Sequence, residues 1–570
     1  MAKANAAGDD ARLLPVPGEV VVRMYRAGLG DCFLLAFGRL GQEPVYVLVD
    51  CGIHARQDKG PARLLRVMRD LRAATGGHLD VVVATHEHAD HLSGFVQKGS
   101  PFVAKAKGDK ITFDQLWVAW TEKQDKGLAD KLRARRGAYR AAIRSAVKKL
   151  EDRGIQLEDR GKKLNDPGLA SDGAKLVADS VRLAGLGDFE AMNPAAVADE
   201  FLGAAAGAPK RKGKDKAKPT SNEVALAMLQ KHADKTKYWE PAEVAPVPGV
   251  PWARAYVLGP PTDEARLKKD LPTGGDEGEN RETYLTGRGE LTALRLAPAL
   301  DLDTSLSSDF RYPFEKSARR RCPEVTPKKV SADDVTDAPA AAVKFWKDRY
   351  LADDEAWRRI DDDWLGAADQ LALDLEADTN NTSLVLAFEV GEPGLGKVLL
   401  FVGDAQVGNW LSWHGQEFKV GGTTTTADDL LRRTALYKVG HHGSHNATVR
   451  RVSADDASPF GLELMPPGLI AMIPVDRAAA QREMPQPWKM PHQPLYQRLL
   501  QKAAGRVLRS DGGGPWWKNA PEQRQPTGPA PAPVPGVTGA RWRESAEAFP
   551  AAEGRQCPVY YEVVFSGVGS

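Results

Sequence analysis

At 570 residues the chain is longer than one hydrophobic core needs, and it predicts roughly three to four domain-sized units or one large domain with insertions. Lys and Arg number 78 against 76 Asp and Glu, a formal charge of +2 that excludes an overall polycationic nucleic-acid binder but leaves room for a local basic surface. Hydrophobic residues at 42% and charged residues at 27% are the balance of a soluble globular chain, not of a disordered one.

No run approaches the ~18–20 uninterrupted apolar residues of a membrane-spanning helix. The start, MAKANAAGDDARLLP, lacks the apolar stretch of a secretory signal. Four cysteines (Cys32, Cys51, Cys322, Cys557) show no CxxC spacing and are too few for a disulfide scaffold. A cytoplasmic protein without membrane insertion is the expectation.

In chain order, 19–25 (EVVVRMY), 32–37 (CFLLAF) and 45–50 (VYVLVD) read as short strands separated by Gly-containing turns. Residues 62–74 carry apolar side chains at helical spacing with basic residues opposite, and 81–85 (VVVAT) is the apolar run of a strand buried on both faces. Residues 127–160 look helical, and the Gly/Pro/Lys-rich stretch 203–222 predicts a flexible loop. A strand and turn return at 253–261, and 340–376 is expected to be helical. Strand patterns then follow at 383–390, 397–404, 434–440, 469–475, 506–511 and 559–566. Strands, helices and buried strands in this order predict α/β layering in two halves, with a long charged interruption between them.

The strongest local signal is Thr85-His86-Glu87-His88-Ala89-Asp90-His91, directly after the buried strand. Alternate positions of an extended loop face the same way, so His86 and His88 can reach one ion while Asp90 and His91 turn towards a second. Imidazole and carboxylate ligands suit zinc, with manganese or iron as alternatives. Asp404 closes the apolar strand FVGD and is placed to bridge two ions. YKVG-His441-His442-Gly443-Ser444-His445 repeats the arrangement of a strand ending in histidines. Neighbouring side chains do not readily bind one ion from an extended backbone, so one of the pair is expected as a ligand. His441, at the strand terminus, is favoured, with His442 behind it or on the substrate.

These pieces resemble the metallo-β-lactamase-fold hydrolases, and within them the soluble domain of the ComEC-type DNA-uptake proteins. The resemblance rests on GLGDCFLL (28–35), VDCG (49–52), THEHADHLSG (85–94), VLGPP (257–261), NNTSLVL (380–386), GD (403–404), KVGHHGS (438–444), and MPHQPLYQRLL followed by RVLRSD. It covers about 20–105, 250–262 and 380–515, roughly half the chain; no transmembrane channel region accompanies it, so DNA uptake is not implied.

The resemblance implies an α/β fold, an αββα sandwich of two mixed sheets flanked by helices, with large, mainly helical insertions. It divides the chain into a tail (1–18), a first half (19–105), a helical and basic insertion (106–250), a core strand (251–262), a second, partly helical insertion (263–376), and a second half with C-terminal strands (377–570). It implies two divalent cations, most simply Zn2+ with Mn2+ or Fe2+ as alternatives. His86 and His88 would hold the first, Asp90 and His91 the second, Asp404 would bridge, and a His441/His442 imidazole would complete the second site. Asp50 would orient the histidine loop from behind. Many members supply a further histidine from mid-fold; here the long central stretch offers only His232, and Asn381 or Ser383 is expected there instead, as a weak ligand or phosphate contact.

Two cations about 4 Å apart activate a bridging water and neutralise charge on the attacked group, so no serine or cysteine nucleophile is required. Cys32 and Cys51 are expected to be buried packing residues. His442 or His445 can protonate the leaving group, and Ser444 can donate to a phosphoryl oxygen. The expected activity is a phosphodiesterase or nuclease, with the basic loop 210–218 as a contact for nucleic acid. Lysines there, Arg319-Arg320-Arg321, the aromatic stripe 345–357, and Trp413, Trp516 and Trp517 all have the simpler reading of solvated or packing residues. Hydrolysis of a small-molecule ester, a phosphorylcholine-type compound or a lactam is the alternative within enzymes. The alternative outside them is an interaction protein, with structural metals and a protein partner on the insertions.

Overall fold

The computed structural model describes residues 12–54, 57, 59–125, 127–165, 167–186, 221–272, 282–283, 372, 375–376, 378–453, 458–481, 488–512, 541–544, 548–550 and 556–566. The chain divides into two compact units. The first comprises Met1–Arg140, Ala184–Glu290 and Leu375–Ser570; the second comprises Ala141–Leu183 and Leu291–Asp374.

Two sheets build the first unit. β1 (Val20–Tyr25), β2 (Cys32–Arg39) and β3 (Gln42–Cys51) are apolar, β-branched-rich runs that pair as an antiparallel meander. β4 (His78–Val83), β5 (Thr112–Ala119) and β6 (Lys235–Trp239) extend it in parallel. The second sheet holds β7 (Val244–Pro246), β8 (Ala253–Gly259), β9 (Val385–Val390), β10 (Lys397–Phe401), β13 (Thr434–Lys438), β14 (Ile470–Ile473) and β15 (Val507–Arg509) in the order β15-β14-β13-β10-β9-β8-β7. β11 (Glu417–Val420) and β12 (Thr423–Thr426) form a separate hairpin, as do β17 (Ala548–Pro550) and β18 (Gln556–Pro558). β16 (Arg541–Glu544) and β19 (Tyr560–Phe565) close the other edge of the first sheet, β19 pairing with β1, so that its order is β16-β19-β1-β2-β3-β4-β5-β6.

The period-2 alternation of the strands decides the layering. Val20, Val22 and Met24 of β1 join Leu386, Phe388 and Leu399 in the core between the sheets. Val21 and Tyr25 face the other way, onto Leu64, Val67 and Leu71 of α1 (Gly60–Thr75) and Leu92 of α2 (Ala89–Val96). Behind the second sheet, Val398, Leu400 and Tyr437 pack on Trp410 and Trp413 and on Leu495 and Leu499. The result is the αββα sandwich that the resemblance implies, two mixed sheets between helical layers.

Helices α3 (Leu128–Leu164), α4 (Pro167–Leu186) and α5 (Ser221–His232) lie in the stretch expected as the first insertion, but so do β5, β6 and β7. Both sheets therefore draw strands from 106–250. β5 is hard to see in sequence because Asp114 and Gln115 interrupt its apolar run, and both are half-buried rather than turned into the core. The described part of the second unit is helical, α3 from Ala141 and α4 to Leu183. Of the expected loop 203–222 only Ser221 and Asn222 are described, as the first residues of α5. Lysine run 210–218, Arg319–Arg321, the stripe 345–357, nearly all of the expected helix 340–376, Cys322, Trp516 and Trp517 lie outside the described residues. Among the described residues no helix is long and apolar enough to cross a membrane.

Candidate metal centre

β3 and β4 run parallel, as do β10, β13 and β14, so their carboxyl ends deliver loops to one edge of each sheet. Asp50 ends β3, the Thr85–His91 loop leaves β4 and opens α2, Asp404 follows β10, and His441 and His442 follow β13. Leu384 N–H donates to Thr85 O at 2.8 Å, tying the start of β9 to the histidine loop. Close packing explains the VDCG glycine: a Cβ on Gly52 would lie 2.3 Å from Asp90 C and 2.4 Å from His91 N. Asp50, His441 and His442 have φ of +55°, +43° and +50°, a left-handed conformation costing non-glycine residues about 1–3 kcal/mol each. They are three of the seven non-glycine residues with positive φ among the described residues.

Asp90, His91, Asp404 and His442 each offer one ligand atom, all within 4.8 Å of one another. Asp404 Oδ2 lies 3.3 Å from His91 Nε2 and 3.8 Å from His442 Nε2. Asp90 Oδ2 lies 2.7 Å from His442 Nε2 and 3.9 Å from His91 Nε2. Each imidazole is fixed from its other nitrogen: His91 Nδ1 meets Asp50 Oδ2 at 2.8 Å and His442 Nδ1 meets Pro474 O at 2.7 Å. Burial by itself would make His91 less basic, but Asp404, Asp31, Asp50 and Asp90 hold its pKa well above the ordinary imidazole value. His442 is raised in the same way, against burial, by Asp404 and Asp90. Burial pushes the Asp90 and Asp404 carboxyls up, yet His91 and its charged neighbours bring both below the ordinary value.

The structure reverses the favoured order of the histidine pair. His442 enters the cluster, whereas His441 contributes its backbone N–H to Asp404 Oδ1 at 3.0 Å and turns its ring elsewhere. That ring lies between Ser444 Oγ, 2.8 Å from Nδ1, and Glu376 Oε1, 3.4 Å from Nε2, with Asn380 Nδ2 at 3.4 Å. Both residues take a left-handed turn at the end of β13, and their rings leave it towards different partners.

His86 and His88 form the second half of the constellation, His86 Nε2 standing 3.0 Å from His88 Nδ1. Burial, then His91 and His88, holds His86 well below the ordinary imidazole value; burial also lowers His88, against Asp90 and Glu376. Both rings are neutral and have lone pairs to offer. Among the described residues they do not share a convergent group of three or more ligands with a carboxylate. His232, at the end of α5, is held below the ordinary imidazole value by burial and then by Lys110 and Lys231, and among the described residues it stands in no such group.

Asn381 and Ser383 brace the cluster from behind. Asn381 Oδ1 accepts from Gln406 N at 3.1 Å while its amide donates to Lys269 O, and Ser383 Oγ accepts from Asp404 N at 3.0 Å. Both are fully buried; Ser383 thereby positions Asp404, and Asn381 the turn that follows it. Ser444 Oγ is occupied by His441 and by Asn446 Oδ1. Burial, then His441 and His492, pushes His445 down to about 4, which disfavours its imidazolium form. Cys32 and Cys51 are buried, free and directly opposite across β2 and β3; Trp413 is fully buried in the helical layer.

Sequence reasoning missed Asp31 and Lys438, although both lie in the GLGD and KVG segments it noticed. Lys438, 1% exposed, pairs with Asp31, donates to Gly403 O at 2.7 Å and lies 3.4 Å from Asp404 Oδ1. Burial would lower its pKa, but Asp31 and Asp404 raise it and keep it charged. The available signal was a lysine closing TALYK, an otherwise apolar strand that is buried throughout. Also unforeseen were Glu376 beside His441 and an exposed to half-buried group, His78, Asp80 and Asp114, at the opposite ends of β4 and β5.

The residues fit a divalent cation. His91 Nε2 is buried without a hydrogen-bond partner and points among two carboxylates and a second imidazole, a donor set that suits zinc, manganese or iron. Asp50 and Asp31 also lie near His91; Asp50 is taken up by Thr85 and His91 and Asp31 Oδ2 by Lys438, while Asp31 Oδ1 is buried without a hydrogen-bond partner. No curated protein and no solved structure matches this chain. Residues 28–205, which include Asp31, Asp50 and the Thr85–His91 loop, match the family model described as Metallo-beta-lactamase superfamily.

Proposed function

We propose that this protein is a cation-dependent hydrolase of phosphodiesters, nucleic acid among them, with zinc as the ion that best suits its ligands. One observation carries the reading: His91 Nε2, buried and unpartnered, converges with Asp90, Asp404 and His442 at the carboxyl ends of two sheets. His91, His442, Asp90 and Asp404 would hold one cation, with His86 and His88 beside it for a second. Cations there supply electrophilic chemistry, polarising a phosphoryl oxygen and making a water acidic.

The chain's own groups do the rest. Asp50 keeps a proton on His91 Nδ1, so that Nε2 is the free nitrogen. The His441 ring, held by Ser444 at Nδ1 and facing Asn380 and Glu376 at Nε2, is the side chain beside the cluster that would exchange a proton with a leaving oxygen. The phosphodiester preference is supported by the ComEC-type motif set, the HHGS segment and the basic loop 210–218.

Elemental analysis paired with a substrate panel tests this. Wild type should turn over bis(p-nitrophenyl) phosphate and DNA or RNA only when loaded, and Asp90→Ala should not. Turnover of nitrocefin alone would remove the phosphodiester reading. Activity indifferent to chelation and to Asp90→Ala would remove the cation as well.

A further inference from the structure

His86 and His88 are separated by Glu87, whose side chain must leave the loop on the opposite face from its neighbours. It does not reach solvent. Glu87 is 5% exposed, and its Oε1 lies 3.2 Å from Arg140 Nη1 while Oε2 lies 3.8 Å from Arg136 Nη2. Both arginines lie within the first four turns of α3, in the stretch expected as the helical and basic insertion.

The arginines are themselves fixed. Arg136, 2% exposed, donates from Nη1 to Thr382 Oγ1 at 3.2 Å, next to the Asn381 and Ser383 brace of Asp404, and from Nη2 to Glu122 Oε1 at 3.2 Å. Arg140 reaches from Glu87 to Glu223 of α5 at 3.3 Å. A buried carboxylate with two buried guanidinium partners is costly to assemble and is held in one geometry once formed. The direction of Glu87 fixes the peptide units on either side, and with them the aim of His86 and His88.

We propose that Glu87, gripped by Arg136 and Arg140, is a positioning residue that aims His86 and His88 at their cation, which makes the start of α3 a working part of the site. This rests on the cation-dependent reading above. A buried pair of this kind that served only to anchor α3 would leave the two ion sites equally affected when broken; a pair that aims the histidines weakens one of them.

The test is a chelator-competition titration of Zn2+ and Co2+ on the full chain, with the Co2+ absorption spectrum recorded alongside. Wild type should bind two equivalents, and His88→Ala should remove one and so identify the His86/His88 equivalent. Glu87→Gln and Arg140→Met should weaken that same equivalent about tenfold, the low end of what losing support outside the ligands costs, because they act through the loop backbone and not on the rings directly, and alter its Co2+ bands. Arg140→Lys, which keeps the charge facing Glu87, should restore affinity to within about threefold. The inference falls if folded Glu87→Gln and Arg140→Met titrate like wild type, or if both equivalents weaken in parallel. A wild type that takes up no cation overturns the hydrolase reading and this inference together; a two-cation wild type with indifferent variants overturns this inference alone. Should Glu87→Gln fail to fold, the Arg140 pair decides the matter.

Discussion

Replacing Asp50 by Asn tests the architecture of the cluster at one atom. The carboxylate is fully buried and takes three donors: Thr85 N–H into Oδ1 at 2.8 Å, and Thr85 Oγ1–H and His91 Nδ1–H into Oδ2 at 2.7 and 2.8 Å. An amide has one acceptor oxygen. If that oxygen takes the place of Oδ2, the NH2 group faces the Thr85 N–H, donor against donor, at the first residue of the histidine loop. If it takes the place of Oδ1, the NH2 group donates to His91 Nδ1 and drives the ring proton to Nε2, the nitrogen that must be free. Either orientation damages a ligand without removing one. The expected loss is about 10–100-fold in cation affinity, or about 1.4–2.7 kcal/mol. Chelator-competition titration of Zn2+ reads this directly, with far-ultraviolet circular dichroism to show that the fold persists. An Asp50→Asn protein that is folded and binds Zn2+ within twofold of wild type would refute the reasoning, because Asp50 would then not be setting the state of His91.

Lys438→Met should destabilise the first unit by about 3–5 kcal/mol, the cost of leaving a buried charge such as Asp31 without its partner. Denaturant unfolding should show part of this regained in Lys438→Met/Asp31→Asn, whereas a single-variant loss below about 1 kcal/mol would deny the pair. Cation uptake should strengthen as pH rises, because the carboxylates keep His91 and His442 protonated above the ordinary value of 6.5 and a cation must displace those protons. Calorimetry in buffers of different ionisation enthalpy should show proton release, and uptake without release would contradict the raised imidazoles. In the cation-free form those imidazoles contribute stability below pH 6.5 that is lost as pH rises through their higher folded values. Asp90 and Asp404 contribute above the ordinary 3.8, and that share is lost on acidification through their lower folded values, so cation-free stability should peak between the two.

Much of the fold was legible because its strands are apolar and short-range. β1, β2, β3, β9, β10 and β13 all begin and end close to their sequence signals, and α1 follows its apolar stripe. β5 and β6 were not legible, since half-buried edge and near-edge strands carry Asp, Gln and Lys where a central strand carries Val. In the site, His86, His88, Asp90, His91 and Asp404 stood out because histidines and carboxylates at these spacings after apolar strands are the pattern a metal site would need. The choice between His441 and His442 was not legible, because it depends on two consecutive left-handed residues that no pattern of residue types announces. Nor were the partners of the ligands. Lys438, Asp31, Arg136 and Arg140 act through contacts across tens to hundreds of residues, and each taken alone looks like an ordinary charged side chain.

The central claim is that one cation sits among four named side chains, and anomalous scattering at the zinc edge from crystals of the loaded protein tests it most directly. A peak is expected within bonding distance of His91 Nε2, His442 Nε2, Asp90 and Asp404, abolished in Asp404→Ala. An intact, loaded protein with no peak there, or with its only peak at His78, Asp80 and Asp114, would contradict it.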